Sequence, residues 1–66
     1  MPALQHVLDL LIAGDDLPEE CRDHGLNGNW RGFRDAHIAP DWILVYRITD
    51  TELQLARLGS HALVFG

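Results

Sequence analysis

Apolar residues recur at Leu4, Val7, Leu8, Leu11 and Ile12, at i, i+3, i+4, i+7 and i+8 along a single stripe. That period predicts a helix over residues 2–13. Pro2 suits its first turn and Gly14 its stop. His6 falls off the stripe and reads as a solvated side chain. The pattern then lapses, because residues 15–29 are polar, carry Pro18, Gly25 and Gly28, and read as a connection. Beyond them the period shortens to two. Residues 31–38 read as a strand interrupted by charge, with Phe33 and Ile38 as its apolar positions. Residues 42–48 (WILVYRI) are β-branched and aromatic and give the strongest strand signal in the chain. Residues 52–58 alternate, with Leu53 and Leu55 sharing a face. Ala39-Pro40-Asp41 and Thr49-Asp50-Thr51 read as the turns between strands. Gly59-Ser60 would break or bulge the last strand before residues 62–65 resume it. The expected fold class is α+β: one N-terminal helix packed on an antiparallel sheet of three to four strands, in a single domain over residues 1–66.

A chain of 66 residues buries only about 60% of its unfolded surface, and its core supplies roughly 3–5 kcal/mol. Cys21 is the only cysteine, so neither an internal disulfide nor a Cys-based metal staple is available. Tight packing and a partner remain as stabilisers. A single helix also covers one face of such a sheet poorly, which points again to a further element or a neighbouring chain. No apolar run approaches the roughly 18 residues of a membrane span, and nothing resembles a secretory leader. A cytoplasmic protein is the expectation.

The net charge of −5 runs against nucleic-acid binding until it is located. Residues 1–23 hold six acids and the single base Arg22, a net of −5. Residues 24–66 hold four acids and four bases, a net of zero. All the excess charge therefore precedes the histidine-rich part. Every base is arginine, which suits phosphate or carboxylate forks more than a diffuse cationic surface. The usual basic footprint of an RNA binder is missing. Glu19 and Glu20 read most simply as a solvated face.

Candidate chemistry is concentrated between Arg22 and Trp42. His24, His37, Asp41 and Trp42 lie there in a Gly-punctuated stretch with Arg31 and Arg34, and Ser60-His61 and Phe65 close the chain. Imidazoles pass protons near neutral pH, guanidiniums hold phosphate, and aromatic rings stack on bases. Cutting a phosphodiester through the ribose 2′-hydroxyl needs a base for that hydroxyl and an acid for the leaving 5′-oxygen. It also needs positive charge for the developing phosphorane. Histidines can fill both proton roles, and arginine the third. The plainer alternatives stay open at this stage. Each histidine could simply bond a loop, Asp41 could cap its own turn, and Trp42 and Phe65 could be core. Trp30 reads as packing or partner contact. No histidine pair has the i, i+4 or HExxH spacing of a metal site, so no metal is expected.

The pattern RDH-x-L-x-G-x-W-x-G-x-RD-x-H-x-x-PDW-x-L-x-Y, followed by GSHA-x-x-F, resembles the YafQ branch of the RelE/ParE toxin superfamily. The resemblance covers essentially the whole chain. It implies a RelE-like fold and the toxin half of a bacterial type II toxin–antitoxin pair, acting as a ribosome-dependent mRNA endoribonuclease without metal or organic cofactor. By position it implies His24, His37, Asp41 and His61 as the acid–base and phosphate-handling set. Trp42 and Phe65 would position the RNA, and Arg57 would meet phosphate or transition-state charge. If the last strand is regular, Arg57 shares a face with Leu53 and Leu55. Cleavage would leave a 2′,3′-cyclic phosphate or its opened 3′-phosphate. The implied partners are a cognate antitoxin, the ribosome and its mRNA, with no membrane. Family members usually begin with a strand and a Lys-rich helix ahead of the segment that starts here. Without them the sheet edge beside the last strand would be open, inviting a second copy of the chain. A second reading follows: a degenerate toxin that acts only by binding an antitoxin or by self-association.

Overall fold

A computed structural model describes residues 2–65. Helix α1 spans Pro2–Ala13, as the apolar stripe predicts. It ends in a left-handed Gly14 with φ 76°. There the N–H of Gly14 reaches the Leu11 carbonyl at 3.2 Å and that of Asp15 the Leu10 carbonyl at 2.9 Å. This is a Schellman closure, which a residue with a Cβ adopts only at a cost. Val7 and Leu11 are buried. Ile12, expected on the stripe, is instead 73% exposed at the rim of the fold. Among the described residues, no helix is long and apolar enough to cross a membrane.

Four antiparallel strands form one sheet in the order β1-β2-β3-β4. They are β1 (His24–Gly25), β2 (Arg34–Ala39), β3 (Trp42–Ile48) and β4 (Leu53–Gly59). Strand β3 lies where its composition places it. It reads as a continuous apolar run because both of its faces are covered. Leu44 and Tyr46 pack toward α1 with Val7, Leu11, Ala36 and Ile38. Ile43 and Val45 pack on the opposite face with Val64, flanked by Leu26, Trp30, Phe33 and Phe65. The second face is thus partly covered from within the chain.

Three expectations need correction. The connection at 15–29 is not structureless. It carries 3-10 turns at Glu19–Cys21 and Gly28–Trp30 and the two-residue strand β1 between them. Strand β2 starts at Arg34 rather than at residue 31, because Gly32, with φ 93°, turns the chain first. The last segment does not resume as a strand. Residues His61–Phe65 form the helix α2. Ser60 begins it by accepting the Leu63 N–H on its Oγ at 3.3 Å. Its carbonyl accepts the Val64 N–H at 3.0 Å. Gly59 lets this helix fold back on the strand, since a Cβ there would stand 3.3 Å from the Leu63 Cβ.

The segment leading into β1 is tied to the sheet through Asp23. Tyr46, 1% exposed, donates its hydroxyl to Asp23 Oδ1 at 2.6 Å, and Arg34 Nε donates to the same oxygen at 3.1 Å. Burial and the adjacent Asp23 carboxylate both disfavour a phenolate, so Tyr46 is held well above its ordinary value. The unfolded chain therefore sheds this proton at lower pH than the folded one. The contribution to stability is full below about pH 10, the ordinary tyrosine value, and is lost as pH rises above it. Tyr46 is the only tyrosine, so tyrosinate absorbance reports it alone. Ionisation is expected only together with loss of the far-UV circular dichroism. Reversible titration near pH 10 in a folded chain would contradict the clamp.

Candidate active site

Strand register builds the site. Cross-strand pairing aligns His24 with Asp35, Asp35 with Val45, and Val45 with Arg57. One row of side chains thus crosses all four strands on the face opposite α1. The next row runs from His37 through Ile43 to Gly59. His37 and Gly59 are two strand spacings apart, about 9–10 Å. His61 follows Gly59 by two residues, at the start of α2. The register sets His24 and His37 on this face in adjacent rows of β1 and β2, and His61 opens α2, which packs on the same face through Val64 and Phe65. Among the described residues, no hydrogen bond or ion pair joins any two of His24, His37, Asp41 and His61.

Arg57 corrects the parity argument. Strand β4 is not regular: Val45 faces Arg57 but Tyr46 faces Leu55, leaving Ala56 as an extra residue. This bulge turns Arg57 away from the face of Leu53 and Leu55 and onto the face of the histidines. There its guanidinium lies 5.5 Å from the Trp30 ring centroid. Trp30 meets Phe33 edge to face at 5.5 Å, and the Arg47 guanidinium lies 4.7 Å from the Phe33 ring centroid. Two arginines are thereby laid against an aromatic pair, which orders them while leaving N–H groups free for an anion. Trp30, read from sequence as packing, contributes this platform.

The remaining residues sit around that row. His61 is exposed, and its ring lies 5.1 Å from that of Phe65. Phe65 is half-buried against Ile43, Val45 and Val64. His37 lines a cleft of about 460 Å³ with Glu20, Arg22 and Pro40. Its Nδ1 is buried without a hydrogen-bond partner among the described residues. Asp41 is exposed in the β2–β3 turn. Trp42, 41% exposed, opens β3 and alternates with Ile43, which sets it on the other side of the strand from His37. Asp41 and Trp42 therefore flank the end of the sheet instead of joining the row.

Sequence reading missed Asp35. It is 4% exposed, and it is the one buried charged side chain among the described residues. Flanked by Arg34, it looks like a surface charge until pairing puts it beside His24. The available signal was its two-residue spacing from His37, which places both on one face of a strand. The arrangement suits proton transfer next to an anion. Among the described residues, no cluster of three or more histidine, cysteine or acidic side chains could hold a metal ion.

Comparison with known proteins shows the family. The family model for the bacterial toxin of the type II toxin–antitoxin system, YafQ, matches residues 1–66. The mRNA interferase toxin YafQ of Escherichia coli is 48% identical over 67 residues, spanning 100% of this chain and 73% of that protein. The crystal structure of YafQ from E. coli superposes with a TM-score of 0.93 at 45% identity, covering 100% of this chain and 74% of that one. YafQ in the E. coli DinJ–YafQ complex superposes with a TM-score of 0.89 at 46% identity over the same shares. The chain belongs to the YafQ family of bacterial toxins of type II toxin–antitoxin systems.

Proposed function

We propose that this chain is a ribosome-dependent mRNA endoribonuclease that works by histidine acid–base chemistry, held in check by a cognate antitoxin. The observation that carries the reading is that His24, His37 and Arg57 lie on one sheet face, with His61 opening the helix packed on that face. His24 takes the proton of the ribose 2′-hydroxyl as O2′ attacks phosphorus. The P–O5′ bond breaks, and His61, which makes no hydrogen bond among the described residues, returns a proton to the departing O5′. His37 and Arg57 meet the charge on the phosphoryl oxygens. Phe65, on that face, holds a flanking nucleotide, and Asp41 and Trp42, at the end of the sheet, meet the RNA where it leaves the row. The named relative is an mRNA interferase, which supports the substrate class.

Net charge is no obstacle on this reading. The face opposite α1 carries His24, His37, Arg47 and Arg57 with one buried carboxylate, while most of the acids precede β1. RNA affinity depends on the local field more than on the total charge. The test is cleavage of a defined mRNA, free and on programmed 70S ribosomes, followed across pH. The expected result is cleavage on the ribosome with a bell-shaped pH dependence, from one neutral and one protonated group. A folded chain that cuts neither RNA would leave binding as its business.

A further inference from the structure

We propose that Asp35 is a positioning residue that holds His24 with its proton on Nδ1 and Nε2 free to work. This inference rests on the reading of His24 as the base. Two atoms crowd His24 Nδ1: the Arg22 carbonyl oxygen at 2.8 Å and Asp35 Oδ1 at 2.9 Å. Neither carries a hydrogen, so the hydrogen between them belongs to Nδ1. The lone pair of the neutral ring then sits on Nε2, on the exposed side of a side chain that is 57% accessible. A base needs its lone pair where substrate can reach it, and this tautomer supplies that.

Asp35 does more than duplicate Arg22. Its Oδ1 lies off the N–H axis and, among the described residues, accepts no hydrogen bond. What it offers His24 is charge. A carboxylate oxygen buried beside Nδ1 favours a hydrogen there over a lone pair. The other charged or titratable groups on this face are His37 on the same strand, Arg47 on β3 and Arg57 on β4, with His61 at the start of α2. Arg47 is engaged with Gln54 and Phe33, and Arg57 lies against Trp30. Val45 separates Asp35 from Arg57 in the cross-strand row. Asp41, the expected partner for an imidazole, is in the β2–β3 turn and makes no ion pair among the described residues.

The experiment has two arms on the full chain. In the first, imidazole ¹⁵N shifts of His24 are read in the wild type and in Asp35→Asn. The expected result is an Nδ1–H ring in the wild type and a smaller Nδ1–H share in the variant, whose side-chain amide brings donors to the same place. An Nε2–H ring in the wild type overturns the proposal, and so does an unchanged share in a folded variant. The wild-type measurement alone decides if Asp35→Asn does not fold. This arm needs no cleavage, so it stands apart from the nuclease reading. In the second arm, ribosomal cleavage is followed in wild type, Asp35→Asn, His24→Gln and the double variant. Asp35→Asn should slow cleavage roughly 10- to 100-fold, the scale for removing a group that orients a working imidazole. It should cost nothing further once His24 is gone. Equal losses in both backgrounds would make Asp35 a structural residue only.

Discussion

Replacement of His61 by alanine is expected to lower cleavage by roughly 10²–10⁴-fold, the usual contribution of a positioned acid or base. The same change should leave the fold and its melting temperature nearly as they were. His61 is exposed, and its described contact is the ring of Phe65 at 5.1 Å. The helix it opens is capped by Ser60 and anchored by the buried Val64, neither of which depends on the imidazole. Alanine is also a strong helix former, so the stability change should lie within about 0.5 kcal/mol. Single-turnover cleavage and thermal melting on the same preparation check both halves. Retained activity would remove His61 from the chemistry. Loss of the fold together with activity would make it a structural residue.

Ile43→Ala should act through the opposite route and unfold much of the population at 25 °C. Ile43 is 1% exposed and stands between His37 and Gly59 in the register. It is therefore the spacer that sets the separation of the β2 histidine from α2. Truncation of a buried isoleucine costs about 2–5 kcal/mol, because the cavity left behind collapses only in part. The core of a chain this size supplies roughly 3–5 kcal/mol in total, so the substitution spends most of it. Ile43→Val removes a single methylene, costs about 0.5–1.5 kcal/mol and should keep cleavage measurable. Urea unfolding followed by circular dichroism distinguishes them. A loss under about 1 kcal/mol for Ile43→Ala would show a core that repacks freely, which the interleaved packing of Ile43, Val45 and Val64 argues against.

The sequence is most legible where one local rule decides. The α1 stripe and the apolar run of β3 each state their element, and observed bounds of Pro2–Ala13 and Trp42–Ile48 agree with them. It is least legible where pairing or packing decides. Strand β1 is two residues long and has no period of its own; it exists because Arg34 and Asp35 pair with it. The segment after Ser60 is apolar enough to read as strand, yet the Ser60 cap and the close approach permitted by Gly59 make it a helix. The bulge at Ala56 has no Gly or Pro to announce it, and it reverses the face of Arg57. The candidate histidines were legible as residue types in a motif. That His24 and His37 share one face, and that the carboxylate beside His24 is Asp35, depends on strand register.

In the proposed reaction the ribose 2′-hydroxyl is the nucleophile and histidines move its proton. The ends of mRNA cut on programmed ribosomes by the purified chain test it most directly. A 2′,3′-cyclic phosphate or its opened 3′-phosphate, opposite a 5′-hydroxyl, is the predicted result. A 3′-hydroxyl opposite a 5′-phosphate would mean that water attacks in place of O2′, and the roles given to His24 and His61 would fall with it.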